Sequence, residues 1–84
     1  MKVMLKLYAT LSDYLPEASR KTNTLELDVA DGTTVAALIA DRNLPAGLVH
    51  LVLVDGNFVP PGARAGRSLH EGETLSIWPP VAGG

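Results

Sequence analysis

The last six residues are the part of this chain best suited to chemistry. The sequence closes with Pro79-Pro80-Val81-Ala82-Gly83-Gly84, and two terminal glycines arise by chance in roughly one chain in 200. Pro80 biases Pro79 toward an extended conformation, which predicts a stiff stalk. The two glycines lack a Cβ and could thread a channel too narrow for side chains, presenting the Gly84 carboxylate to another protein. The plainer interpretation is a frayed terminus, since chain ends are commonly disordered.

A terminal carboxylate must be activated before it can react with a nucleophile. Its negative charge repels nucleophiles, and its oxygen is a poor leaving group. ATP-dependent adenylation of Gly84 would make a mixed anhydride, and attack by sulfide or persulfide would then leave a terminal thiocarboxylate. The chain contains no cysteine, which rules out a thiol nucleophile, a disulfide or a thiolate metal site of its own. We therefore expect the sulfur to come from outside, with Gly84 as the carrier group.

The other candidate groups indicate neither a metal site nor an active site. His50 and His70 are the only histidines, and they lack the paired spacing that zinc or the base of a nucleophile requires. Glu71 and Glu73 flank Gly72, a pattern typical of a solvated turn. We expect no metal, no bound cofactor and no enzymatic activity of its own.

Length and charge limit the classes of function. The 84 residues suffice for one domain whose small core leaves little room for a deep cleft. The formal net charge is −2, with the cationic residues scattered among acidic ones, so nucleic acid is not an expected partner. No apolar run approaches the roughly 20 residues of a membrane span, and no signal peptide is visible. We expect a soluble, cytoplasmic protein with no membrane partner.

Alternation of apolar and polar residues predicts three half-buried strands. In the first of them Val3, Leu5 and Leu7 share the parity that faces the core. The three strands cover residues 3–9, 24–29 and 74–78. Between the first two, Tyr14 lies at helical spacing from its apolar neighbours, and we expect it to pack on the core from a short helix over residues 10–15.

The middle of the chain predicts a helix and a hairpin. Thr33 or Thr34 can cap a helix that ends near Arg42 or Asn43. The aliphatic run 48–54 is typical of a central strand covered on both faces, and Asp55-Gly56 is a hairpin signal. This order predicts an α+β, ubiquitin-like β-grasp fold. It comprises a mixed sheet of about five strands with one main helix across it and a short helix after strand one, over residues 1–78, followed by a flexible tail over residues 79–84.

Three aromatic residues predict a docking patch. Tyr8 and Trp78 have the parity opposite to the buried positions of their strands, so both are expected to point away from the helix-covered face. Phe58 lies just past the hairpin turn. Any one of them alone is most simply a surface aromatic or a supplementary core residue. Together, near the base of a reactive tail, they predict a protein interface, because aromatics are enriched at interface centres.

Several segments resemble the MoaD/ThiS family of ubiquitin-like sulfur carriers over essentially the whole chain. They are the segments Lys6-Leu7-Tyr8-Ala9-Thr10-Leu11, Asp31-Gly32-Thr33-Thr34-Val35, Leu53-Val54-Asp55-Gly56 and Trp78-Pro79-Pro80-Val81-Ala82-Gly83-Gly84. The last is the most specific, because it is similar to the ending of the small subunit of molybdopterin synthase. Two turn residues depart from the family pattern: Asp55 stands where an Asn is usual, and Glu73 where an Asp is usual.

The resemblance implies a role for the tail and for its partners. A ubiquitin-activating-type adenylyltransferase that uses ATP would adenylate Gly84. Gly83 and residues 79–82 would form the tail that carries Gly84 into the partner's channel. The resulting thiocarboxylate would enter the large subunit of molybdopterin synthase, with Tyr8, Phe58 and Trp78 as partner contacts. The same role would serve the synthesis of tungstopterin. Alternatives are a carrier for thiamine or tRNA thiolation, or a modifier joined to lysines. A further alternative is a β-grasp binding module whose tail has no chemistry.

Overall fold

The alternating segments at the two ends of the chain form neighbouring strands in the middle of the sheet. A computed structural model describes residues 1–80 and contains a mixed five-stranded sheet in the order β2-β1-β5-β3-β4. The strands are β1 (Lys2–Leu7), β2 (Thr24–Asp28), β3 (Leu51–Val54), β4 (Asn57–Phe58) and β5 (Thr74–Trp78). β1 and β5 run parallel, and the remaining neighbours are antiparallel. The predicted mixed sheet is confirmed.

The single α-helix of residues 1–80, α1 (Val35–Asp41), begins at the predicted cap. The Ala37 amide donates to Thr34 Oγ1 at 3.1 Å, which satisfies a backbone N–H that the first helical turn leaves unpaired. Val35 and Leu38 of this helix are buried against the sheet. The rest of the core is aliphatic and comprises Val3, Leu5, Leu7, Leu11, Leu15, Leu44, Val52, Val54, Val59, Leu69, Leu75 and Ile77.

The Asp55-Gly56 turn joins β3 to β4 as predicted. Both residues have positive φ, 47° at Asp55 and 83° at Gly56, which is the signature of the type I′ turn that matches the twist of paired strands. The Asp55 carboxylate accepts the Thr74 amide at 2.8 Å. The turn is thereby joined to the start of β5.

Two predictions about side-chain burial are wrong. Leu51 is 37% exposed and Leu53 is half-buried, so β3 is covered on one face only, because α1 packs on one side of the sheet. Tyr14 is 38% exposed. The short helix that carries it is a 3-10 helix over Ala9–Tyr14, and Leu11 and Leu15 fill the core at this end.

The helices of residues 1–80 are all too short to cross a membrane. The longest, α1, contains seven residues, about a third of the length that a hydrocarbon core requires.

Candidate functional site

The sheet face opposite α1, here called the outer face, gathers the three predicted aromatics. Tyr8 and Trp78 lie beside each other, and Trp78 pairs across the sheet with Leu51. Leu53 pairs with Phe58 on the edge strand β4. These five residues, Tyr8, Leu51, Leu53, Phe58 and Trp78, form a continuous set that we call the apolar patch. The placement of Tyr8 and Trp78 agrees with the sequence prediction, while their role in binding stays a prediction.

Tyr8 and Trp78 form a stacked pair. Their ring centroids are 4.3 Å apart and their planes differ by 3°, and such aromatic pairs add about 0.5–1.5 kcal/mol beyond simple burial. The Tyr8 amide also donates to the Ile77 carbonyl at 3.2 Å. The stack is therefore a rigid part of the patch, whereas Phe58, with 58% of its surface exposed, is its most accessible member.

Leu51 and Leu53 are members of the patch that the sequence analysis missed. The strand β3 itself, Leu51–Val54, is wholly aliphatic, so no polar residue within it marks an outward side. The signal that would have found them is register, because Val52 and Val54 face the core and their neighbours must face outward. An exposed aliphatic pair between aromatics is the composition expected at an interface centre.

The base of the tail lies beside this patch. Trp78 ends β5, Pro79 is buried and Pro80 is exposed, so the described part of the chain ends at the surface. A shallow groove at this point is lined by Ala9, Thr10, His50, Leu51, Trp78, Pro79 and Pro80. The predicted tail residues Val81, Ala82, Gly83 and Gly84 lie outside the described residues.

The other half of the outer face is charged. Lys2 donates from Nζ to Asp28 at 3.1 Å on exposed positions of β1 and β2. Lys6 and Glu26 share this face, since Lys6 pairs with Thr24 and Glu26 with Met4. The apolar patch is therefore bordered by a charged area on the side of β1 and β2.

Glu71 and Glu73 stabilise the acidic turn before β5 through hydrogen bonds, and the Glu73 side chain, at 16% exposed, is not solvated in the way that the sequence predicts. Glu73 accepts hydrogen bonds from Arg67 Nη2 and from the His70 amide, both at 2.7 Å, while Glu71 accepts the Lys2 amide at 3.0 Å. The pKa of the Glu73 carboxyl is lowered, first because Arg67 donates to it and further because of the His70 amide, with partial burial acting in the opposite direction. Residues 1–80 contain no cluster of His, Asp or Glu arranged to hold a metal ion.

The chain matches one protein family and is similar to several solved structures. The family model described as the ThiS family matches residues 9–84. The chain is similar over the full length of both chains to the crystal structure of SAMP1 from Haloferax volcanii, with a TM-score of 0.68 and 26% identity. It is also similar to the crystal structure of H. volcanii small archaeal modifier protein 1, with a TM-score of 0.62 and 25% identity over 95% of this chain and 98% of that chain.

A third similar structure supports the fold alone. It is the complex of subunits 1 and 2 of the molybdopterin-converting factor from Helicobacter pylori, with a TM-score of 0.61 and 18% identity over the whole of both chains. Comparison with curated proteins found no match. These structures confirm the predicted ubiquitin-like β-grasp fold.

Proposed function

Because the chain belongs to the ThiS family of ubiquitin-like sulfur carriers and modifiers, we propose that Gly84 carries sulfur for the biosynthesis of molybdopterin. The observation that carries this proposal is the Trp78-Pro79-Pro80-Val81-Ala82-Gly83-Gly84 ending, which follows β5 directly beside the apolar patch. In this role the chain is a co-substrate of partner enzymes and catalyses nothing itself.

The proposed chemistry takes place at the terminal carboxylate. An oxygen of the Gly84 carboxylate attacks the α-phosphorus of ATP in an adenylyltransferase, pyrophosphate leaves, and an acyl-adenylate forms. Sulfide then attacks the carbonyl carbon and AMP leaves, which gives the thiocarboxylate. In the large synthase subunit the thiocarboxylate sulfur attacks a carbon of the pterin precursor and displaces an oxygen leaving group, which forms a thioester. Water then attacks the thioester carbonyl carbon, so that the sulfur stays on the pterin and the Gly84 carboxylate is regenerated.

The apolar patch suits the binding part of this role. Phe58 and Leu51 are exposed on the outer face, and Trp78 joins the patch directly to the tail. A partner that covers the patch would hold the domain while residues 81–84 enter its active site. Buried aromatic anchors of this kind commonly dominate the binding energy of an interface.

A second candidate is a protein modifier joined through Gly84 to lysines. It is favoured by the two Haloferax volcanii structures named above, which are 25–26% identical to this chain. Its first step is the same adenylation, but a lysine amine replaces sulfide as the nucleophile and an amide bond results. The outer face and the tail would be used in the same way, so only the acceptor separates the two candidates.

Reconstitution with defined acceptors tests the proposal. The chain is incubated with the adenylyltransferase of the same organism, ATP and sulfide, and then with the large synthase subunit and its pterin substrate. We expect molybdopterin to form with the full chain and not with a variant lacking Gly83 and Gly84. Formation of lysine conjugates without molybdopterin would favour the modifier. Undiminished molybdopterin synthesis by the truncated chain would support a plain binding module instead.

A further inference from the structure

Arg64 joins two loops through backbone carbonyls. Its Nε donates to the Val59 carbonyl and its Nη2 to the His50 carbonyl, each at 3.2 Å. The Arg64 carbonyl in turn accepts the Ala36 amide of α1 at 3.0 Å. One residue thus connects the helix, the segment after β4 and the residue that precedes β3. The planar guanidinium can bridge two acceptors in this way, whereas a lysine ammonium has no equivalent fork.

His50 lies between Arg64 and the base of the tail. Its amide donates to the Trp78 carbonyl at 3.1 Å, next to Pro79, which has no N–H to donate. On the other side of β5, the Tyr8 amide holds the Ile77 carbonyl at 3.2 Å. The hydrogen bond from the His50 amide to the Trp78 carbonyl thus joins the last residue of β5 to the residue before β3. Arg64 binds the carbonyl of the same His50.

We infer that Arg64 is a positioning residue for the tail. By holding His50, it fixes the direction in which the chain leaves β5 at Pro79 and Pro80, and so sets how residues 81–84 approach the adenylyltransferase. This inference rests on the proposed function for its effect on activity. Its structural part concerns the free protein and is tested without any partner. Because reaction rates respond steeply to misplacement of the reacting group, a small change in the exit direction is expected to be visible in kinetics.

The chain supplies a matched control in Arg20. Its Nε donates to the Leu15 carbonyl at 3.1 Å and its Nη2 to the Asp13 carbonyl at 3.2 Å. Arg20 therefore donates to two backbone carbonyls from Nε and Nη2, as Arg64 does, but it lies in the segment between β1 and β2, far from β5 in the sequence. Arg64→Met and Arg20→Met each remove one guanidinium and keep an apolar stem. Arg64→Lys keeps the positive charge but loses the bridging geometry.

The first measurement uses NMR on the free protein. In Arg64→Met we expect the His50 amide to exchange about tenfold faster, as for the loss of one hydrogen bond's local stability. The Cα–Hα residual dipolar couplings of Pro79 and Pro80 should change as well. Arg20→Met should leave both unchanged. Wild-type values at His50, Pro79 and Pro80 in Arg64→Met would overturn the inference, whatever the activity assays show.

The second measurement is steady-state adenylation of the chain by the adenylyltransferase, followed as AMP attached to Gly84. We expect Arg64→Met to lower kcat about tenfold with KM changed less than about twofold, because the apolar patch is untouched. Arg20→Met should match the wild type. Arg64→Lys should resemble Arg64→Met, and full activity of Arg64→Lys would show that charge alone matters and overturn the inference. Failure of the wild-type chain to become adenylated would overturn the proposed function instead, and the NMR result would still decide the positional claim.

Discussion

At the scale of single residues, two carboxylates stabilise turns that meet at the start of β5. Asp55 accepts the Thr74 amide from the β3–β4 turn, and Glu73 accepts Arg67 and the His70 amide in the turn before β5. Both stand at positions where the resemblance to the family predicts a different residue. Their hydrogen bonds explain why the substitutions are compatible with the fold, since Asp and Glu here still supply an acceptor oxygen.

Asp55→Ala is expected to lower the free energy of unfolding by roughly 1–2 kcal/mol, because it leaves the Thr74 amide without its acceptor and places alanine at positive φ. Asp55→Asn should change stability by less than about 0.5 kcal/mol, since the amide oxygen can replace the carboxylate oxygen. Urea unfolding measures both. Asp31→Ala is the control, because Asp31 also precedes a glycine but its side chain is 96% exposed. Equal losses at Asp55 and Asp31 would contradict the role assigned to the hydrogen bond.

The lowered pKa of Glu73 predicts that the free energy of unfolding decreases in acid. Its pKa is held below the ordinary value of 4.5 in the folded protein by Arg67, so folding favours the charged form. The resulting stability is fully present above pH 4.5 and is lost as the pH falls through the lower folded pKa. The difference in unfolding free energy between wild type and Glu73→Gln should therefore shrink below pH 4.5.

The acid-stability experiment needs a control for His70, whose Nδ1 lies 3.4 Å from the Glu73 carboxylate. Repeating the comparison in a His70→Ala background removes the imidazole charge and keeps the backbone amide that Glu73 accepts. A difference between wild type and Glu73→Gln that stays constant from pH 7 to about pH 3 would contradict the assignment, because no titration of Glu73 would then be linked to folding.

At the scale of elements, the buried and exposed sides of the alternating strands could be predicted, whereas those of β3, the strand within the run 48–54, could not. β5 occupies the predicted residues, and β1 and β2 differ from prediction only at their ends, because polar residues mark the outward side of each strand. The aliphatic strand β3 carries no such mark, so the exposure of Leu51 follows only from the placement of α1 on one face. The exposure of Tyr14 depends likewise on a 3-10 helix whose core contacts are made by Leu11 and Leu15.

The apolar patch predicts a separation of binding from stability at Phe58. Phe58 is 58% exposed on a two-residue edge strand, so Phe58→Ala should cost little stability but weaken binding to the adenylyltransferase by about 2 kcal/mol, as for an interface anchor. Isothermal titration calorimetry and thermal unfolding measure the two effects. Trp78→Ala should weaken binding by a similar amount and also reduce stability, because Trp78 stacks on Tyr8.

Tyr14→Ala is the matched control for the patch. Tyr14 is also an exposed aromatic, at 38%, but it lies on the short helix after β1 and not among the residues of the outer face. Its removal should leave the affinity unchanged. Equal losses of affinity for Phe58→Ala and Tyr14→Ala would show that the outer face is not the specific docking surface.

At the scale of the whole molecule, the family could be predicted from the sequence, whereas the contact between Arg64 and His50 could not. The prolines and glycines of residues 79–84 are adjacent in the chain, and the resemblance they carry is confirmed at the level of the family. The link from Arg64 to His50 spans 14 residues and uses a backbone carbonyl, so no pattern of residue types signals it. The proposed site therefore depends on a motif that is local in the sequence and, by our inference, on the contact between Arg64 and His50, which only the fold brings together.

The proposed function depends on one step, in which the terminal carboxylate of Gly84 exchanges an oxygen for sulfur. This exchange can be measured by mass spectrometry of the chain after incubation with the adenylyltransferase, ATP and sulfide. We predict a mass increase equal to the difference between sulfur and oxygen, confined to the C-terminal peptide and abolished when one residue is added beyond Gly84, since the carboxylate of Gly84 then becomes an amide. An unchanged mass of the wild-type peptide, while the enzyme still adenylates a known carrier, would contradict the claim.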